Sequence, residues 1–397
     1  MKKNNLIVLG LFNVLLSSSA LAKDFVQKNP KQTPTPVLMN QFLGQLTALK
    51  KYFISESKFV DPKNNLEIAS HLTKFSRFAR EAHHDPTLSQ ENFKFSRQVL
   101  EEHITDTERV FKIGNKSYAR WRLASTISVC MNCHTQVATS NRSFREFGNF
   151  KIFSSKFDQA EFLFVTRAYD KANELYDVII DEYPKNKNKP EQVQTALERQ
   201  VAYFSRIKKN PTDALSKMKS HQKNKELPEY LHLNIAAWIS QFENWEKQTA
   251  FDAKTATDSQ IIEYAQKNID AKWTTSMMAA SNPNLVMYLR VSGILYDYLQ
   301  THPQSKITPQ VLYWLAICDR SIDNTFFYSL ADLYLRECIT KYPTDPVAKK
   351  CLKEYEAEMT FGYTGSSGIH LPAEVSADLD RLKKLVETGG KLEMREN

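Results

Sequence analysis

Three observations predict an all-α protein. Apolar residues recur at helical spacing over long stretches. Glycine is sparse, 10 of 397 residues, and long stretches are rich in Leu, Ala, Lys, Glu, Tyr and Phe. The length exceeds what one compact core serves and suits two regions. With 25% charged residues and a mean hydropathy of -0.47, a multi-span membrane protein is excluded. After residue 22 no apolar run is long enough to cross a bilayer.

The N-terminus reads as an export signal over residues 1–22. Lys2 and Lys3 form a basic start, Leu6 to Leu16 an apolar run, and Ala20-Leu21-Ala22 a small-x-small cleavage site. Cleavage after Ala22 removes two lysines and no acid, so the formal charge falls from +8 to +6. That balance does not imply nucleic acid, and at most it favours an acidic partner through association rate. Residues 23–35, rich in Lys, Gln, Asn, Thr and Pro, read as a leader without a core of their own.

Four helices are expected next, within residues 36–145. The first runs from Val37 to Ser55, with Leu38, Phe42, Leu46, Leu49 and Phe53 on one stripe. Asp61-Pro62 turns the chain into a second helix, Leu66 to His83, which Asp85-Pro86 breaks. Ser89 and Asn92 open a third, with Phe93, Val99, Leu100, Ile104 and Val110 apolar, and Gly114-Asn115 closes it after Ile113. A fourth covers Lys116 to Ala138. Helices of this length joined by short turns predict an antiparallel four-helix bundle.

The fourth helix carries Cys130-Met131-Asn132-Cys133-His134, a C-x-x-C-H sequence and the signature of c-type haem attachment. Residues three and four apart share a helix face, so both thiols and the imidazole project together. The thiols add to the haem vinyl groups and His134 ligates the iron. Attachment takes place outside the cytoplasm, which agrees with the export signal. A thioredoxin-like reading needs a βαβ context that is absent, and a zinc reading needs a second ligand pair that is also absent. One motif means one covalent haem c.

A four-helix bundle with C-x-x-C-H near the end of its last helix resembles the class II cytochromes c, the cytochrome c′ and cytochrome c-556 family. The resemblance covers residues 36–140, a little over a quarter of the chain. It implies that the sixth haem position faces the first helix, where Met39 stands. Methionine ligation there gives a low-spin electron carrier, core packing leaves the iron open, and the residues alone leave both readings standing. The resemblance also implies dimers, which a second region could obstruct. His71 and His103 are weaker distal candidates, and His103, which follows Glu101 and Glu102 in the third helix, could face solvent. Arg120, Arg122, Arg142 and Arg145 are candidates for the haem propionates or solvated cations.

Residues 150–360 read as helix–turn–helix units. Ala160, Leu163, Ala172, Tyr176 and Pro184 fall at the small, bulky, small, aromatic and proline positions of a tetratricopeptide (TPR) repeat, which this stretch resembles. Ile322, Ala331, Leu335, Cys338 and Pro343 repeat the pattern loosely, and residues 244–270 interrupt it. A TPR-like α-solenoid is expected, its core made by stacking neighbours, with Trp238, Trp245, Trp273, Tyr313 and Trp314 in that core rather than on a contact surface. Three cysteines remain, and Cys338 with Cys351 is the expected disulfide, Cys318 with Cys338 the alternative. In residues 361–397 the glycines of Phe361–Gly368 lack the Lys-Ser/Thr of a phosphate loop and predict a turn before a last helix, Ala373 to Val386.

These readings combine into a periplasmic monohaem cytochrome, not an enzyme, that transfers electrons and docks redox partner proteins through its helical repeats. It neither binds nucleic acid nor spans a membrane. The alternatives are a gas-binding or gas-sensing protein with an open distal site, and a repeat-based assembly adaptor carrying a haem.

Overall fold

The computed structural model describes residues 33–136, 153, 155–185, 188–270, 284–322, 329–365 and 368–390. The export signal, nearly all of the leader, Arg142, Arg145 and Trp273 lie outside the described residues. The chain is all-α. The first region comprises α1 (Thr35–Phe53), a short α2 (Glu56–Val60), α3 (Asn65–Glu81), α4 (Lys94–Lys112) and α5 (Lys116–Gln136).

Each expected long helix is present, with boundaries set by local chemistry. Pro36 sits at the start of α1, where its missing N–H costs nothing. The expected stripe Leu38, Phe42, Leu46, Leu49 and Phe53 is buried throughout. Helix α2, absent from the sequence reading, exists because the Ser55 side chain accepts the Lys58 N–H and caps a single turn that buries Phe59. Helix α4 ends where Gly114 takes φ 91°, with the Asn115 N–H on the Val110 carbonyl at 3.2 Å and the Gly114 N–H on Phe111 at 3.1 Å. Helices α1 and α4 each pack against both α3 and α5 around Leu38, Phe75, Ile104 and Leu123.

The second region continues with α6 (Lys156–Val165), α7 (Tyr169–Asp181), α8 (Pro190–Ala202), α9 (Pro211–His221), α10 (Glu229–Glu246), α11 (Asp258–Ala265), α12 (Leu285–Thr301), α13 (Thr308–Ser321), α14 (Ala331–Lys341), α15 (Ala348–Gly362) and α16 (Ala373–Glu387). Neighbours pair along the chain, α6 with α7, α9 with α10, α12 with α13 and α14 with α15. Ala160, Leu163, Ala172 and Tyr176 are all buried, as are Ala331, Leu335 and Cys338. Trp238 and Trp314 lie in the core, while Trp245 and Tyr313 are partly buried against it. The glycines before α16 form a two-residue ladder, with Thr364 opposite Ile369 and Gly365 opposite Gly368. Cys338 and Cys351 form a disulfide with Cα atoms 6.3 Å apart, and Cys318 is a buried thiol. No helix among the described residues is long and apolar enough to cross a membrane.

The two regions share a core. Phe95 and Val99 of α4 and Val129 and Met131 of α5 pack with the second region rather than with the first. Phe95 meets Tyr334 of α14 edge-on, ring centres 5.0 Å apart. Beside that contact Lys94 pairs with Glu337, and Lys341 with Glu91 at 2.6 Å. The stretch of α5 that holds Cys130, Cys133 and His134 is therefore braced by later helices.

One partly buried acid sets a pH dependence. Glu358 of α15 stands 3.8 Å from Arg320, yet burial, aided by Asp332, Asp319 and Glu354, pushes its carboxyl up to about 7. The unfolded value is lower, so between the two values the folded state holds the extra proton and stability falls as pH rises. Glu358→Gln is expected to melt with the parent near pH 4.5 and above it at pH 8, by at most about 3 kcal/mol. Identical melting of the two proteins at both pH values would contradict this.

Candidate haem site

Helix α5 presents Cys130, Cys133 and His134 to one cavity of about 700 Å³. Met39, Phe42, Leu43 and Leu46 of α1 line the same cavity, with Leu100 and Arg97 of α4. Met39 and Leu43, four residues apart, occupy the same α1 face. Helix α1 and the C-x-x-C-H residues thus line one cavity.

His134 is fixed from outside the first region. Its Nδ1 lies 2.6 Å from the Val165 carbonyl oxygen at the end of α6. A carbonyl only accepts, so Nδ1 carries the hydrogen and donates. Burial, with the neighbouring Arg167 cation, holds the imidazole down to about 3, so the ring is neutral at ordinary pH and its lone pair is on Nε2. A backbone carbonyl on the far nitrogen is the arrangement that orients a histidine toward a metal. Tyr169 adds a hydrogen bond from its hydroxyl to the His134 carbonyl at 3.2 Å.

The turn supplying Val165 is unusual. The Ala168 N–H reaches the Leu163 carbonyl at 2.9 Å and the Arg167 N–H reaches Phe164 at 3.0 Å, a helix end that normally places glycine at the residue before the last. Here Arg167 occupies that position with φ 64°. A left-handed residue other than glycine costs about 1–3 kcal/mol and tends to be kept at functional sites. Arg167 acts electrostatically on both Cys133 and His134.

The thiols are apolar in character. Burial pushes Cys130 up to about 12, with Cys133 adding to it, and Cys133 up to about 11, with Arg167 opposing. Neither is a thiolate at neutral pH, which disfavours disulfide-exchange chemistry. Among the described residues no group of three or more His, Cys, Asp or Glu converges as a metal cage. A haem iron takes its equatorial ligands from the macrocycle and needs only axial ones from protein.

Several other candidates are elsewhere. His71 is on α3 with Nδ1 2.9 Å from Gln45 Oε1. His103, which the sequence allowed to face solvent, is buried, and its Nε2 lies 2.8 Å from the Arg122 carbonyl. Arg120 donates to the Phe53 carbonyl and to Glu56, and Arg122 to the His103 carbonyl with Asp106 at 3.2 Å. None of these four lines the cavity. The cation that does is Arg97, whose Nε is buried without a partner. Its guanidinium also contacts His83 and lies 3.8 Å from Glu101. Sequence reasoning passed over Arg97 because nothing local distinguishes it from the other cations of α4.

No family model matches the chain, and no curated protein or solved structure resembles it closely enough to support an inference.

Proposed function

We propose that this chain is an exported monohaem c-type cytochrome whose first region is a class II-like four-helix bundle and whose second region is a TPR-like helical array. The observation that carries the reading is the convergence of Cys130, Cys133 and a tautomerically fixed His134 on one apolar cavity whose lining also includes Met39. When bound, the haem supplies reversible one-electron oxidation and reduction at its iron. The residues do the rest. Cys130 and Cys133, undissociated in the free chain, suit conversion to uncharged thioethers in an apolar wall. His134 offers Nε2 from a position fixed by Val165. Phe42, Leu43, Leu46 and Leu100 exclude water, and the buried Arg97 Nε–H offers an anion such as a propionate a donor.

The second region acts first on the haem region itself, through Val165, Tyr169 and the α14 contacts. Its remaining surface is the part proposed to receive redox partners in the periplasm. The decisive measurement is a pyridine-haem spectrum of reduced protein, expected to show one c-type chromophore per chain. Its absence would sink the proposal. Met39→Ala separates electron transfer from the open-site reading. Loss of a low-spin spectrum in that variant supports methionine ligation. An unchanged five-coordinate spectrum in both parent and variant, with carbon monoxide binding, supports a gas-binding protein instead.

A further inference from the structure

A second cavity, of about 400 Å³, lies between α10, α12 and the turn that follows α11. Its wall holds Arg290, Trp245 and Tyr264, with the amide side chains Gln241, Asn244 and Asn268 around them. Arg290 is only 8% exposed, and no carboxylate pairs with it among the described residues. Its Nη1 donates to Gln248 Oε1 at 2.7 Å, and its guanidinium lies over the rings of Trp245, at 4.6 Å, and Tyr264, at 5.8 Å. Its Nε is buried with no partner, and so is the Tyr264 hydroxyl oxygen. A buried cation facing only neutral groups is costly, and unsatisfied buried donors add to that cost. Such an arrangement persists where a ligand completes it.

The walls are preorganised. Trp245 stacks on Phe242 at 6.1 Å and Tyr264 on Phe251 at 4.6 Å, so neither ring is free to swing. Residues 266–270 form a widened helical turn, a feature frequent at functional sites, and within it the Asn268 side-chain amide donates to the Tyr264 carbonyl at 2.7 Å. Gln241 already gives Oε1 to the Met287 N–H at 2.9 Å, which leaves its NH2 to donate.

We propose that this cavity binds a carboxylate carried next to an amide, the chemistry shared by an acylated amino acid and the last residue of a peptide. The carboxylate accepts from the Arg290 Nε–H and the Tyr264 hydroxyl, and the amide of the ligand meets the Gln241, Asn244 and Asn268 side chains. The site is independent of the haem.

Titration calorimetry on the full chain tests this with N-acetylglycine, its uncharged amide, inorganic phosphate and N-acetyl-triglycine. N-acetylglycine is expected to bind saturably with a Kd at or below about 1 mM, and its amide at least about tenfold more weakly. Arg290→Gln is expected to lose about tenfold or more in affinity. Tyr264→Phe removes one unpaired oxygen, so it should keep the parent Tm while losing several-fold in affinity. Tighter binding of the triglycine assigns a peptide C-terminus, and equal binding assigns a free acylated amino acid. Absence of saturable binding of either acid, equal binding of the amide, preference for phosphate, or unchanged affinity in Tyr264→Phe overturns the proposal.

Discussion

Replacing Cys130 and Cys133 together by alanine is expected to abolish covalent chromophore while leaving an exported chain. On a denaturing gel the parent band should carry haem peroxidase stain and the double variant none. Each single variant should retain a fraction through its remaining thiol, because either thioether alone is a covalent tether. His134→Ala, in contrast, should keep the stain and change the optical spectrum, since it removes an axial ligand and no tether. The pattern matters more than any one loss. Equal staining of parent and double variant would exclude this motif as the attachment site. Stability should follow, because a tethered haem is ligated by His134 and packed into the cavity only in the folded state, and the tether keeps it at a high effective concentration. The variant without tethers is therefore expected to melt below the parent, with the deficit largest when free haem is absent.

What the sequence made legible is what repeats at short range. The α1 stripe, the Gly114 stop and the C-x-x-C-H face are all decided within a few residues, and the structure places them as those patterns require. The residues that complete the site are not of that kind. Val165 contributes a backbone oxygen, which no side-chain pattern can announce, and it stands 31 residues from His134. Arg167 occupies a glycine position without being glycine, so the usual signal for such a helix end is missing. Arg97 becomes distinctive only through burial beside the cavity. His103 looked exposed because Glu101 and Glu102 precede it, but the α4–α5 contact turns it inward onto the Arg122 carbonyl. Local charge predicts a helix face only where no neighbour packs there.

Glu161→Ala should be among the most destabilising substitutions outside the motif, at about 3–5 kcal/mol by urea denaturation. Glu161 on α6 receives both Arg199 of α8, from Nε at 3.1 Å and Nη2 at 2.9 Å, and the Tyr176 hydroxyl of α7 at 2.6 Å. Arg199 is 2% exposed, so removing its bidentate partner leaves a guanidinium deep in the core without its main compensation. Desolvation opposes that cation, and Glu161 is foremost among the groups that keep it charged. Glu161→Gln keeps Oε1 as acceptor for Arg199 Nε and the Tyr176 hydroxyl but puts an NH2 donor opposite Arg199 Nη2, so its cost should be smaller than that of alanine and still measurable. The pairing of Glu161→Leu with Arg199→Met removes both charges and should recover most of the lost stability, as buried ion pairs replaced by apolar side chains often do. If the double variant were as unstable as Glu161→Ala, the damage would lie in packing and not in the abandoned charge. The same helix delivers the Val165 carbonyl to His134. A loosened α6 is therefore expected to broaden the haem spectrum before the protein unfolds, and the recovered double variant to sharpen it again.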